Sequence, residues 1–144
     1  MAFTGNFMCT SFKVEILKAV HNFTLSTGNT FNIAMYTNSA SFTAATTAYT
    51  AGNEVTGTGY TAKGYALTNV TPVSTGTTAF VDFGDATWSS STITARGAML
   101  FNDTASGDPS VVILDFGSDK SSSSGDFTIV FPTGDATSAI IRIA

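Results

Sequence analysis

The chain is poor in the residues that most active sites are built from. Cys9 is its one cysteine in 144 residues, so no disulfide can form within it, and nothing calls for an oxidising compartment. His21 is its one histidine, and with a single cysteine it cannot complete a histidine-based zinc cluster. Charged residues make up 11%, well under the usual quarter. The six basic residues, Lys13, Lys18, Lys63, Arg96, Lys120 and Arg142, are scattered through a chain of net charge −4. That excludes the clustered Lys/Arg face of a sequence-independent nucleic-acid binder and disfavours an anionic membrane surface. No run reaches 18 apolar residues, so no membrane-spanning helix is expected. The opening Met-Ala-Phe-Thr-Gly-Asn-Phe has neither a basic start nor a continuous apolar run. It does not read as a secretion signal, and synthesis in a cytoplasm is expected. The sequons at Asn22, Asn69 and Asn102 then carry no meaning.

What is present points to a sheet protein. Hydrophobic residues make up 43%, including 12 Phe, which excludes intrinsic disorder and predicts an aromatic core. A chain of this length forms one domain and buries about 68–70% of its unfolded surface. We expect a single β-sandwich domain over residues 1–144, with an arm and helix in 1–28 and strands in 29–144. Thr and Ser occupy the polar places that Lys and Glu usually take, and the branched Cβ of Thr suits a pleated surface. So little charge fits a surface covered by partners, or a surface kept wet by hydroxyls alone.

Ser11 is placed to cap a helix in which Phe12, Ile16, Ala19, Val20 and Phe23 share one face, ending near Asn22. Such a helix is marginal alone and needs its stripe buried against the domain or a neighbouring subunit. Thr30 to Thr37 alternates as a strand. Ser39 to Asn53 reads as a loop, and Gly59 to Val70 contains a hairpin or bulge near Lys63-Gly64. Strands are expected over Thr78–Trp88 (interrupted by Gly84), Thr92–Asn102 after a Ser89-Ser90-Ser91 turn, Val111–Phe116, Asp126–Phe131 and Ser138–Ile143. Seven or eight strands at intervals near ten residues indicate an all-β, antiparallel β-sandwich, jelly-roll or Ig-like, with one short N-terminal helix. Val81-Asp82-Phe83-Gly84-Asp85 and Leu114-Asp115-Phe116-Gly117-Ser118-Asp119 look like two similar exits from strand to turn.

No catalytic signature emerges. The two Asp-Phe-Gly tripeptides lack every other kinase element. Gly57-Thr58-Gly59 lacks the third glycine and the helix of a dinucleotide site. Asp103, Asp108, Asp115, Asp119, Asp126 and Asp135 do not have the dense spacing of a calcium loop, and read as turn residues. A Ser–His–Asp triad would need His21, yet there is no Gly-x-Ser-x-Gly elbow, and His21 reads more simply as a helix C-terminal partner. Glu54 with an aspartate is the one pair that suggests a glycan hydrolase. Trp88 with Tyr36, Tyr49, Tyr60 and Tyr65 suggests either a glycan-stacking platform or core and interface anchors. No cofactor and no metal is expected.

The stretch Thr46-Thr47-Ala48-Tyr49-Thr50-Ala51-Gly52-Asn53-Glu54-Val55-Thr56-Gly57-Thr58-Gly59-Tyr60 resembles a pattern in small tailed-bacteriophage structural proteins. So do Thr87-Trp88 followed by Thr92-Ile93-Thr94-Ala95-Arg96-Gly97-Ala98, and the ending with Leu114-Asp115-Phe116-Gly117, Gly125-Asp126-Phe127-Thr128-Ile129 and Ile140-Ile141-Arg142-Ile143-Ala144. The resemblance covers most of the chain and carries no active-site motif. It implies a virion component: a capsid decoration (cement) protein, or a part of the neck, tail or fibre, where a receptor- or glycan-binding role would fit. Its expected partners are its own copies and the major capsid protein or other virion proteins. Lattice geometry favours a homotrimer, which would match three-fold positions of a shell. Phe3, Phe7 and Phe12 are the candidate assembly contacts, since a phenylalanine-rich end must be buried somewhere. The same three residues would alternatively pack on their own chain.

Overall fold

The computed structural model describes residues 3–144. These residues form an all-β fold of two antiparallel sheets with one short helix. In chain order the elements are β1 (Phe7–Met8), α1 (Thr10–Leu17), β2 (Phe31–Tyr36), β3 (Tyr65–Ala66), β4 (Asn69–Thr75), β5 (Thr78–Phe83), β6 (Ala86–Asn102), β7 (Ser110–Ile129) and β8 (Ile141–Ile143). The larger sheet runs β1-β7-β6-β2-β3 and the smaller β4-β5-β8. One core joins them. Phe31 on β2 packs on Phe83 of β5 with ring centroids 5.8 Å apart, and Phe23 stacks on Phe31 at 4.3 Å.

The expected strand at 30–37 is β2. It is buried on both faces along its whole length, because the larger sheet is covered on either side there and β2 lies between β6 and β3. The loop after Tyr36 is held by backbone contacts from Val55 N to Met35 O and from Ser110 N to Thr47 O. The turn at Lys63-Gly64 is present, with both residues in the left-handed region. A Cβ on Gly64 would strike Ile33 O, so glycine is required for β3 to approach β2.

The largest departure from expectation is the β6–β7 hairpin. The Ser89–Ser91 segment is no turn: it lies inside β6 and faces β7, with Ser91 paired to Gly125. Likewise Val111–Phe116 and Asp126–Phe131 are not two strands, since Ser110 to Ile129 is one 20-residue strand. Hydroxyl pairs across the hairpin explain this. Ser91 Oγ lies 2.7 Å from Ser122 Oγ, Thr94 Oγ1 2.8 Å from Ser121 Oγ, and Thr87 Oγ1 3.0 Å from Thr128 Oγ1. Small hydroxyl residues that signal a turn in isolation are good cross-strand partners once a ladder faces them. Register shifts and left-handed residues at Ser90, Gly117 and Ser124 bend the ladder without ending it. Of the two Asp-Phe-Gly segments, the first leaves β5 as expected, and the second is a bulge within β7.

Helix α1 is also shorter than its pattern. It stops at Leu17, and Ala19 turns left-handed at φ 57°. Ala19, Val20 and Phe23 therefore leave the expected face, although Phe23 reaches the core from the following loop. Ser11 is no cap: Cys9 holds that position, with no side-chain cap bond. At the other end of the chain, Ile141 is buried, whereas Ile143 is exposed at the edge of the small sheet.

Candidate assembly surface

Two polar clusters gather the titratable side chains, and each fastens the fold. In the first, the 37–64 loop lies along β2 and carries Tyr49, Glu54 and Tyr60 to one point. Tyr49 OH donates to Glu54 Oε2 at 2.6 Å, and Tyr60 OH to Oε1 at 2.7 Å. The Lys63 amide donates to Oε1 at 2.8 Å. Tyr60 OH in turn accepts from Met35 N at 2.9 Å. Burial, reinforced by the Glu54 charge, pushes the Tyr36 and Tyr60 phenols far above their ordinary value, and pushes Tyr49 up to about 12. Beside them, Lys63 Nζ lies 2.7 Å from Asp103 and 2.8 Å from Asp108, over the ring of Tyr49. These hydrogen bonds and charges hold the ammonium well above its ordinary value, Asp103 contributing most.

The chemistry follows from these contacts. The phenols stay protonated as donors, the ammonium stays charged, and Glu54 is filled by three donors. The Glu54–aspartate pairing considered for glycan hydrolysis is replaced by phenols around Glu54, while Asp103 and Asp108 serve Lys63. The remaining aspartates disperse. Asp115 pairs with Arg96 at 3.1 Å, Asp126 accepts from Ser90 N, and Asp135 caps Thr137 and Ser138. Among the described residues, no three His, Cys, Asp or Glu side chains are grouped as for a metal ion.

The second cluster surrounds His21, whose side chain is fully buried. Asn102 Oδ1 accepts from the amides of Thr104 and Ala105, at 3.0 and 3.1 Å. That orients the Asn102 amide so that Nδ2 faces His21 Nδ1 at 3.1 Å and Asn29 Oδ1 at 3.0 Å. Nδ1 must therefore accept, and Nε2 carries the proton that it donates to Glu15 at 2.8 Å. Phe12 and Phe23 enclose the ring. His21 lies beyond the shortened helix and binds side chains, so the expected role as partner of the helix C-terminus is corrected.

Of the aromatic candidates, Tyr65 on β3 stays exposed while the others are occupied. Trp88 is 5% exposed, between Tyr60, Tyr65 and Phe127, and Tyr36 is buried with its hydroxyl on Thr50 O at 2.7 Å. The indole offers no face for a glycan to stack on. Of the three candidate contacts, Phe3 is 1% exposed, edge-on to Phe42, and its ring fills the space over Gly97. Phe12 is equally buried, against His21 and Phe23. Both belong to the chain's own core, because Cys9 N bonded to Val111 O and β1 paired with β7 draw the N-terminal segment onto the larger sheet. Phe7 is half-buried on the two-residue edge strand β1 and is the one of the three that keeps an open side.

The exposed apolar side chains lie elsewhere. Leu17 is 88% exposed, with Val14 beside it on α1, and Leu25, Val70, Val73, Val130 and Ile143 are also exposed. An apolar groove runs between α1 and the small sheet, lined by Ile16, Phe23, Pro72, Phe80, Ile141 and Ile143 among others. A second borders the far half of β7, lined by Phe116, Lys120 and residues 126–130. Sequence reasoning missed Leu17 and Val14, although a signal existed: both are apolar yet fall off the Phe12–Ile16 stripe. No protein-family model, no curated protein and no solved structure matches this chain.

Proposed function

We propose that this chain is a non-enzymatic virion structural subunit of a tailed bacteriophage, a capsid decoration (cement) protein that stabilises the head through oligomeric contacts. The observation that carries the reading is the apolar groove between α1 and the small sheet, open at the exposed Ile143, in a chain with 11% charged residues. A subunit used alone gains nothing from such a surface, whereas one that seats on a lattice buries it. The two polar clusters support the same reading, since each spends its titratable groups on joining segments of the fold. The resemblance of residues 46–60, 87–88, 92–98 and the C-terminal segments to phage structural proteins points the same way. The partners are further copies of the chain, as a homotrimer, and the major capsid protein, with neither nucleic acid nor membrane involved.

Cryo-electron microscopy of the intact particle tests this. Density for the chain over the shell, with the α1–β8 groove against the lattice, is the expected result. Density confined to neck, tail or fibres would replace the cement reading with an adaptor or receptor-binding role.

A further inference from the structure

We propose that the His21 cluster is an acid-sensitive latch: a second proton on the ring has no acceptor within the cluster, so acidification releases α1 and the 18–30 segment from the end of β6. The neutral ring fits because each nitrogen meets its opposite. Nε2–H donates to Glu15 Oε2 at 2.8 Å, and Nδ1 faces the Asn102 amide nitrogen at 3.1 Å. A second proton must go to Nδ1, where it would point at another donor. Asn102 cannot answer by turning its amide over. Its Oδ1 accepts from the backbone amides of Thr104 and Ala105. Its Nδ2 also donates to Asn29 Oδ1, which accepts from Asn22 N at 2.8 Å as well. Reversed, the amide would set nitrogen against two N–H groups and oxygen against oxygen.

The surroundings of the ring offer the charge little else. Phe12, Phe23 and Phe31 stand around it at centroid distances of 5.0, 6.2 and 6.2 Å. The side chain is fully buried, so a charged ring in place loses its hydration without gaining an acceptor at Nδ1. Among the described residues, Glu15 is the charged group that meets the ring from α1, and Lys13 and Lys18 are exposed. The 22–30 loop contributes Phe23 and Asn29, β2 contributes Phe31 and β6 contributes Asn102, all uncharged. Asp103, next to Asn102, is bound to Lys63 at 2.7 Å. The Cys9 thiol, which feels the Glu15 charge, is pushed up by burial and stays neutral. Glu15 attracts the second proton, but it is bonded on the Nε2 side, and that pair does not need the rest of the cluster. His21 and Ile16 line the groove of about 450 Å³ between α1 and the small sheet, so the charged ring has space to move out with Glu15 and leave Asn102. The bond given up joins residues 81 apart in sequence, and the α1 wall of the groove loosens with it.

The latch contributes fully at neutral pH and is lost in acid, because the open form binds a proton that the closed form refuses. A released ring takes that proton near the ordinary histidine value of about 6.5. Opening should then become about tenfold more frequent for each pH unit below it. The test is amide hydrogen exchange on the purified full chain at pH 7.5 and pH 5, corrected for intrinsic rates, with the ring proton resonances of the single histidine followed alongside. Protection over residues 12–30 should fall more than tenfold at pH 5, while the β6–β7 ladder around Ile93 keeps its protection. His21→Gln, uncharged across this range, should lose the pH dependence. Asn102→Asp sets an acceptor opposite Nδ1 and should hold the protonated ring, so that protection survives at pH 5. Protection in the wild type that does not change with pH would overturn the proposal. So would a ring that takes its second proton with 12–30 still protected, or a His21→Gln chain that opens in acid as the wild type does. The cluster is tested in the free chain, so this inference and the cement reading fail separately.

Discussion

Phe3→Ala measures how firmly the N-terminal segment belongs to the core. The Phe3 ring is buried, meets Phe42 edge-on at 5.7 Å, and occupies the space a Cβ would need at Gly97. Removing a buried phenylalanine ring costs about 3–5 kcal/mol, part transfer and part cavity. The cavity would persist, because the glycine opposite has no side chain to move into it. With a urea m-value of about 2 kcal/mol/M, the midpoint should fall by about 1.5–2.5 M. Trp88, the single tryptophan, is buried and reports the transition without added labels. Gly97→Ala, which sets a methyl against the Phe3 ring and Leu114 O, should destabilise from the other side of the same contact. A loss under about 1 kcal/mol for Phe3→Ala, with Gly97→Ala tolerated, would refute the packing argument. Phe3 would then be free again as an assembly contact.

Three further outcomes are expected. Asn102→Ala removes the amide that binds Thr104 N, Ala105 N, His21 Nδ1 and Asn29 Oδ1; leaving buried groups unpaired should cost about 3 kcal/mol, seen as a lower thermal midpoint. Gly64→Ala places a Cβ on Ile33 O in a left-handed residue, and should cost about 2 kcal/mol or more, with amide exchange accelerated at β2 and β3. Above neutral pH, the raised phenol of Tyr49 contributes stability that is complete below its unfolded value of about 10. That contribution is lost as pH climbs from there to about 12. Part of the tyrosinate absorbance at 295 nm should thus rise together with loss of near-ultraviolet dichroism, and simple titration of Tyr36, Tyr49 and Tyr60 near pH 10 in the folded chain would contradict this.

Little of the surface chemistry was legible in the chain alone. In sequence, Tyr49 and Tyr60 belong to a glycan platform and Glu54 to a separate hydrolase pair. What joins them is a loop laid along β2, and no spacing rule encodes that. Apolar periodicity that runs on through Val20 to Phe23 ties His21 to a helix end. In the fold, the bonds from His21 to Glu15 and Asn102 accompany a chain reversal at Ala19 that ends the helix early. In sequence, Phe3 and Phe12 fit either a partner or their own chain, because an arm rich in phenylalanine looks unanchored until β1 and the Cys9 amide are seen to pair with β7.

The sequence by itself determined the class of the fold. Alternating and continuous apolar runs, β-branched polar residues and closely spaced turn residues specify antiparallel sheets around an aromatic core, since those preferences act within a few residues. With one cysteine, it also excluded a disulfide within the chain. The tertiary structure alone decided where strands end and which apolar residues stay outside. Ser91, Ser121 and Ser122 became ladder when a hydroxyl-bearing partner faced each of them, and Phe3 became core while Leu17 became surface. Strand pairing and burial depend on residues tens of positions away, and local pattern carries no information about which distant surface a side chain will meet.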